Sequence, residues 1–173
     1  SLVGSEMCIR DRLISDATKR QTQQISDQIT FYNGAGEIYY EKGDYSKALE
    51  CFKEAWNVEL SVYGENNPTI AASYIGKMYF YQKEYPEALI YFEKALKIWL
   101  PVYDKNYLDV AGCYGNIGMM YAFLGNNSKA LMFLEKALAI YRSTLGEEDN
   151  STKETLEWIK YVTSLQAKQS FVQ

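Results

Sequence analysis

Apolar and small residues recur along this chain with a helical period. In residues 29–42, Tyr32, Ala35, Gly36 and Tyr39 fall at i, i+3, i+4 and i+7, one face of a 3.6-residue turn. Lys42-Gly43-Asp44 breaks that pattern. A second stripe over 46–63 then carries Ala48, Leu49, Phe52, Ala55, Trp56 and Leu60. The same plan predicts helices at about 68–82, 86–102, 108–124 and 128–144, and a closing one at 151–167. Pro68 and Pro86 suit first helical turns, and Pro101 is expected to end or bend the fourth helix.

The stripes are copies of one another. Tyr32, Ala35, Gly36, Tyr39, Ala48, Phe52 and Ala55 return 40 residues later as Ala72, Ile75, Gly76, Tyr79, Ala88, Phe92 and Ala95. After a further 42 residues they return as Tyr114, Ile117, Gly118, Tyr121, Ala130, Leu134 and Ala137. Recurrence at that distance marks a stack of helical hairpins, each unable to bury both faces alone. A glycine inside a helix costs about 1 kcal/mol relative to alanine, so Gly36, Gly76 and Gly118 in register need a reason. Close approach of paired helices supplies it: no Cβ on one helix faces the small Ala48, Ala88 or Ala130 of the other. Tyr39, Tyr79, Tyr121 and Phe52, Phe92, Leu134 fill the space beside the crossing. The expected fold is all-α, an antiparallel helical-hairpin solenoid closed by a more polar helix.

Composition narrows the chemistry. The 173 residues are 47% hydrophobic, enough for a real core, and carry a net charge of −4, which argues against a phosphate-binding surface. There is no histidine, which removes the commonest general base and metal ligand. Cys8, Cys51 and Cys113 are scattered without a CxxC pair and read as small hydrophobes of a reducing compartment. No catalytic pair, metal set, cofactor motif or membrane span is expected. Gly112, Gly115 and Gly118 lack the strand and Gly-Lys-Ser/Thr of a phosphate loop, so close packing or local flexibility is the better reading. Asn126-Asn127-Ser128 and Asn150-Ser151-Thr152 read as loop and cap residues.

The pattern resembles the tetratricopeptide repeat, with Tyr or Ala at the usual Trp position, then Ile/Ala-Gly, Tyr, Ala, Phe/Leu and Ala. The pitch of 40–42 residues exceeds the usual 34 or so. Together with Tyr63-Gly64-Glu65-Asn66-Asn67-Pro68-Thr69, it resembles the kinesin-light-chain-like subclass, with Asn67 where that linker carries His. The later linkers, 104–109 and 146–151, depart further. Repeats are assigned to 29–67, 68–107 and 108–150, a capping helix to 151–167 and a tail to 168–173. Residues 13–28 read as a polar linker or weak helix. Leu2–Asp11 resembles a translated sequencing adapter, so residues 1–12 are read as non-biological and the chain as a fragment.

The resemblance implies that the first helix of each hairpin lines a concave, partner-binding face. Helical spacing places Asn33, Glu37, Tyr40, Ser73, Lys77, Phe80, Asn116, Met119 and Phe123 on the side away from the glycine stripe. The alternative for Tyr40, Phe80 and Phe123 is packing between repeats. Lys77 alone does not make the multi-cation clamp with which some family members hold a terminal carboxylate. The expected function is a non-enzymatic, cytoplasmic scaffold binding a peptide or partner domain, without nucleic acid. Alternatives are a regulatory arm of a larger enzyme or sensor, and self-association through an uncovered N-terminal face.

Overall fold

A computed structural model describes residues 2–64, 71–101 and 107–170. Among them are seven α-helices and no strand: α1 (Leu2–Glu41), α2 (Tyr45–Tyr63), α3 (Ala71–Tyr81), α4 (Tyr85–Trp99), α5 (Leu108–Phe123), α6 (Asn127–Leu145) and α7 (Asn150–Ser170). Each packs against its neighbours in chain order, and α5 also touches α7. The short turns make each pair antiparallel, which is the expected all-α hairpin solenoid.

The turns inside the hairpins share one device. Gly43, Lys83 and Gly125 occupy the left-handed region, with φ of 74°, 64° and 79°. Asp44 and Asn126 then cap α2 and α6 by accepting from the N–H of Lys47 and Lys129 at 3.2 and 3.1 Å. The middle copy departs on both counts. A lysine holds the left-handed position and Glu84 makes no capping bond, while Pro86 sets the first turn of α4.

The glycine stripe is a row of notches. A Cβ on Gly36 would stand 2.7–2.9 Å from the ring of Phe52, and one on Gly76 2.9–3.1 Å from the ring of Phe92. A Cβ on Gly118 would meet Leu134 Cγ at 2.7 Å and the Ala130 carbonyl oxygen at 3.1 Å. The large residue of the second helix, rather than the alanine one turn earlier, sits in each notch. Phe52, Phe92 and Leu134 are buried there, as are Ala48, Ala88 and Ala130. Tyr39, Tyr79 and Tyr121 lie partly buried beside them. Successive hairpins are stitched by rings as well, Phe52 stacking on Tyr74 at 4.6 Å between centroids.

Two sequence expectations need correction. The first helix does not begin near residue 29. Residues 13–28, expected as a polar linker or a weak helix, are helical and belong to α1, which runs unbroken from Leu2 to Glu41. Between Gly4 and Gly34 the sequence has no glycine or proline, so nothing interrupts it once formed. At the other end, α4 stops at Trp99 rather than near 102, with the Leu100 N–H bonded to the Leu96 carbonyl at 3.0 Å and Pro101 in the turn beyond. The linker positions at 65–70, including Pro68, and those at 102–106 lie outside the described residues, as does the end of the tail at 171–173. The side chains of Met7 and Cys8 also fall outside them.

Candidate interaction groove

The inner helices α3 and α5, with α6 and α7 at the far side, enclose a polar groove. Two adjoining cavities of about 340 and 270 Å³ form it. They share Lys77, Gly112, Asn116, Tyr141 and Ser151, so they are read as one trough. Ser73, Tyr74 and Lys77 reach it from α3, because Ser73 and Lys77 stand one helical turn apart. Helix α5 supplies Asp109, Gly112, Cys113, Gly115, Asn116 and Met119 at spacings of three and four. Helix α7 closes the trough with Ser151, Glu154, Thr155 and Trp158.

Gly112 and Gly115 make the floor, and they differ from the notch glycines. A Cβ at Gly112 would find its nearest neighbour at 3.7 Å, the Tyr141 hydroxyl, and one at Gly115 would find the Ala137 methyl at 3.9 Å. Packing therefore does not require glycine at either place, although helix propensity disfavours both by about 1 kcal/mol. Of the two sequence readings of these glycines, close packing or local flexibility, close packing holds for Gly118 alone. At 112 and 115 the missing side chains leave the α5 backbone open to the trough.

The walls differ in charge. Lys77 is exposed on the α3 wall, its ammonium 5.4 Å from the centre of the Tyr74 ring. The Tyr74 hydroxyl donates to Glu37 Oε1 at 3.1 Å, tying α3 to α1. Burial, helped by that carboxylate, raises the Tyr74 pKa. On the opposite wall the Tyr141 hydroxyl is pushed up to about 12 by burial and then by Cys113, Asp109, Asp149 and Glu154. Burial likewise holds the Cys113 thiol at about 11, against the opposing hydrogen bond of Ser73, with Asp109 adding to the rise and Lys77 reducing it.

Of the nine residues expected on the concave face, the structure brings Ser73, Lys77, Asn116 and Met119 together in this trough. Glu37 stands at its edge through Tyr74. Asn33, half-buried in α1, has a side-chain oxygen with no hydrogen-bond partner. Tyr40, Phe80 and Phe123 lie elsewhere, in a row of rings along the edge that carries the tight turns. Tyr40 meets Tyr81 at 5.5 Å, with a 3.0 Å bond between their hydroxyls, and Tyr81 stacks on Tyr45 at 4.8 Å. Phe80 meets Phe123 at 5.9 Å, Phe123 stacks on Tyr85 at 4.5 Å, and Trp158 continues the row at 5.7 Å. In the third copy the register explains part of this: a shift of 42 from Phe80 reaches Ala122, so Phe123 is the counterpart of Tyr81. Helical spacing could not find Tyr141 or the α7 residues, which enter from outside the first helices. The unneeded glycines at 112 and 115 were the available signal.

Hairpins nested on glycine notches around an inner trough define an α-solenoid of the repeat type. Residues 69–143 and 29–55 each match a family model described as tetratricopeptide repeat, and these segments are tetratricopeptide repeats. No curated protein sequence matches the chain. Among solved structures, it is similar to BtubC (BKLC) from P. vanneervenii, with TM-score 0.74 and 20% identity over 80% of this chain and 56% of that one. The apo form of RapI gives 0.70 and 21%, over 82% of this chain and 50% of that one. The chain thus spans about half the length of these two. The first TPR of Spaghetti (RPAP3), bound to the HSP90 peptide SRMEEVD, gives 0.63 and 15%, over 82% of this chain and 95% of that one. At these identities the likeness is one of fold.

Proposed function

We propose that this chain is a non-enzymatic, cytoplasmic interaction scaffold whose inner trough holds an extended segment of a protein partner. The observation that carries the reading is the open floor at Gly112 and Gly115, where two glycines disfavoured by helix propensity and unneeded for packing leave room for a ligand backbone. Support comes from the peptide complex of the similarly folded Spaghetti domain. The long pitch favours the kinesin-light-chain-like subclass.

The test is a blocked floor. Gly112→Leu would place a branched side chain in the cavity of about 340 Å³ beside the Tyr141 hydroxyl, where its Cβ meets nothing closer than 3.7 Å, so the melting temperature should hold or rise. Retention of a random-sequence heptapeptide library on the immobilised chain should fall about tenfold or more. Equal retention by both proteins, or none by the unmodified chain, rejects the trough as a peptide site.

A further inference from the structure

We infer that the outer face of α1 is a self-association surface, on which a second molecule of this chain docks through its own α1, antiparallel and about a two-fold axis. The inference goes beyond the trough and does not depend on it. Phe31 and Ile38 stand on that face, 69% and 53% exposed. Their counterparts in the later repeats, by the same shifts of 40 and 42, are Ala71 and Met78, then Cys113 and Met120. One more shift of 42 reaches Thr155 and Val162 on α7. All six counterparts are buried, none more than 6% exposed. Met78 clusters with Ala48 and Phe52, Met120 with Ala88 and Phe92, and Val162 with Ala130 and Leu134. This is therefore the position at which each hairpin stacks on the second helix before it. Among the described residues no helix precedes α1, so its stacking face is open.

The face is complementary to itself. Phe31 and Ile38 are two helical turns apart, with Gly34 between them, where nothing lies within 4 Å of a Cβ. In an antiparallel pair, Phe31 of each molecule meets Ile38 of the other, an apolar contact made twice by one symmetry axis. The same pairing sets Asp27, four residues before Phe31, against Lys42, four residues after Ile38. Both are exposed, so opposite charges meet at each end of the contact. Gln28 then faces Glu41, and no like charges stand directly opposed along the stripe. A second molecule supplies the apolar pair and the charges in the required order, which singles it out as the occupant.

Sedimentation velocity on the full chain, from about 1 to about 500 µM, measures this. The expected result is a monomer–dimer equilibrium. In Phe31→Gln/Ile38→Gln the dissociation constant should rise about tenfold or more. Circular dichroism of that variant at low concentration should match the unmodified chain, since both side chains are exposed and glutamine keeps the helix. Asp27→Lys should weaken the dimer about fivefold by bringing two lysines together at each end, and Asp27→Lys/Lys42→Asp should recover most of it. A monomer at every concentration overturns the proposal and leaves the face to a different protein or to a preceding hairpin. A dimer that the glutamine variant leaves intact overturns it too, because its contact lies elsewhere. If the glutamine variant separates the molecules but the charge exchange restores nothing, the antiparallel pairing is wrong and the proposal falls with it.

Discussion

Replacing Phe92 by alanine should destabilise the chain by about 3–5 kcal/mol and should reverse the sign of a second substitution, Gly76→Ala. Phe92 is 1% exposed, and its ring edge stands 2.9 Å from where a Cβ on Gly76 would be. In the unmodified chain, Gly76→Ala gains about 1 kcal/mol of helix propensity but forces a locked ring to move, at about 1–3 kcal/mol. The net is a loss. With the ring gone, the added methyl enters empty space and only the gain remains. Gly34→Ala is the control, because nothing lies within 4 Å of a Cβ there. It should stabilise by about 0.5–1 kcal/mol in either background. Urea unfolding of the four members of the cycle measures this, and an equal effect of Gly76→Ala in both backgrounds would refute the notch. Phe92→Leu would not relieve the clash, since Leu134 fills the same notch at Gly118.

The second large effect is alkaline. Cys113 is 3% exposed and its thiol is held at about 11, against an ordinary value of 9.0, chiefly by burial. Between those two values the unfolded chain releases a proton that the folded chain keeps. Folded molecules then bind more protons, so stability falls as pH rises. The contribution is intact below pH about 9 and is lost progressively, to about 3 kcal/mol by pH about 11. Tyr141, also raised, steepens the decline above its ordinary value of 10.0. Urea midpoints should drop by about 1 kcal/mol equivalent between pH about 9 and 10. Over the same interval Cys113→Ala should be flatter. Parallel curves would show that the thiol is not the group responsible.

What the sequence made legible follows from what sets each feature. The notches were readable because Gly36, Gly76 and Gly118 each break a local preference, in register, with the same large partner sixteen residues on. The length of α1 was not. Residues 13–28 offer few apolar side chains, so periodicity says little, and the helix there is carried by uninterrupted backbone bonding rather than by a buried face. In the trough, Ser73 and Lys77 follow from helical spacing within one element. Asp109 lines one cavity and Glu154 the adjoining one, with Tyr141 common to both, because α6 and α7 pack beside α5, an arrangement that no single stripe encodes.

The three tryptophans fall at two places in the stack. Trp56 lies among residues of α2, α3 and α4, Trp99 beside Val110 and Ile140, and Trp158 over Leu134 and Val162. Trp56 also packs against the cluster that holds Trp99, so these two report on one stretch and Trp158 on another, in an assembly where each segment answers mainly to its neighbours. Single-tryptophan versions would show whether the stack melts as one body or frays from an end, with Trp158 timing the C-terminal joint and Trp56 or Trp99 the one before it.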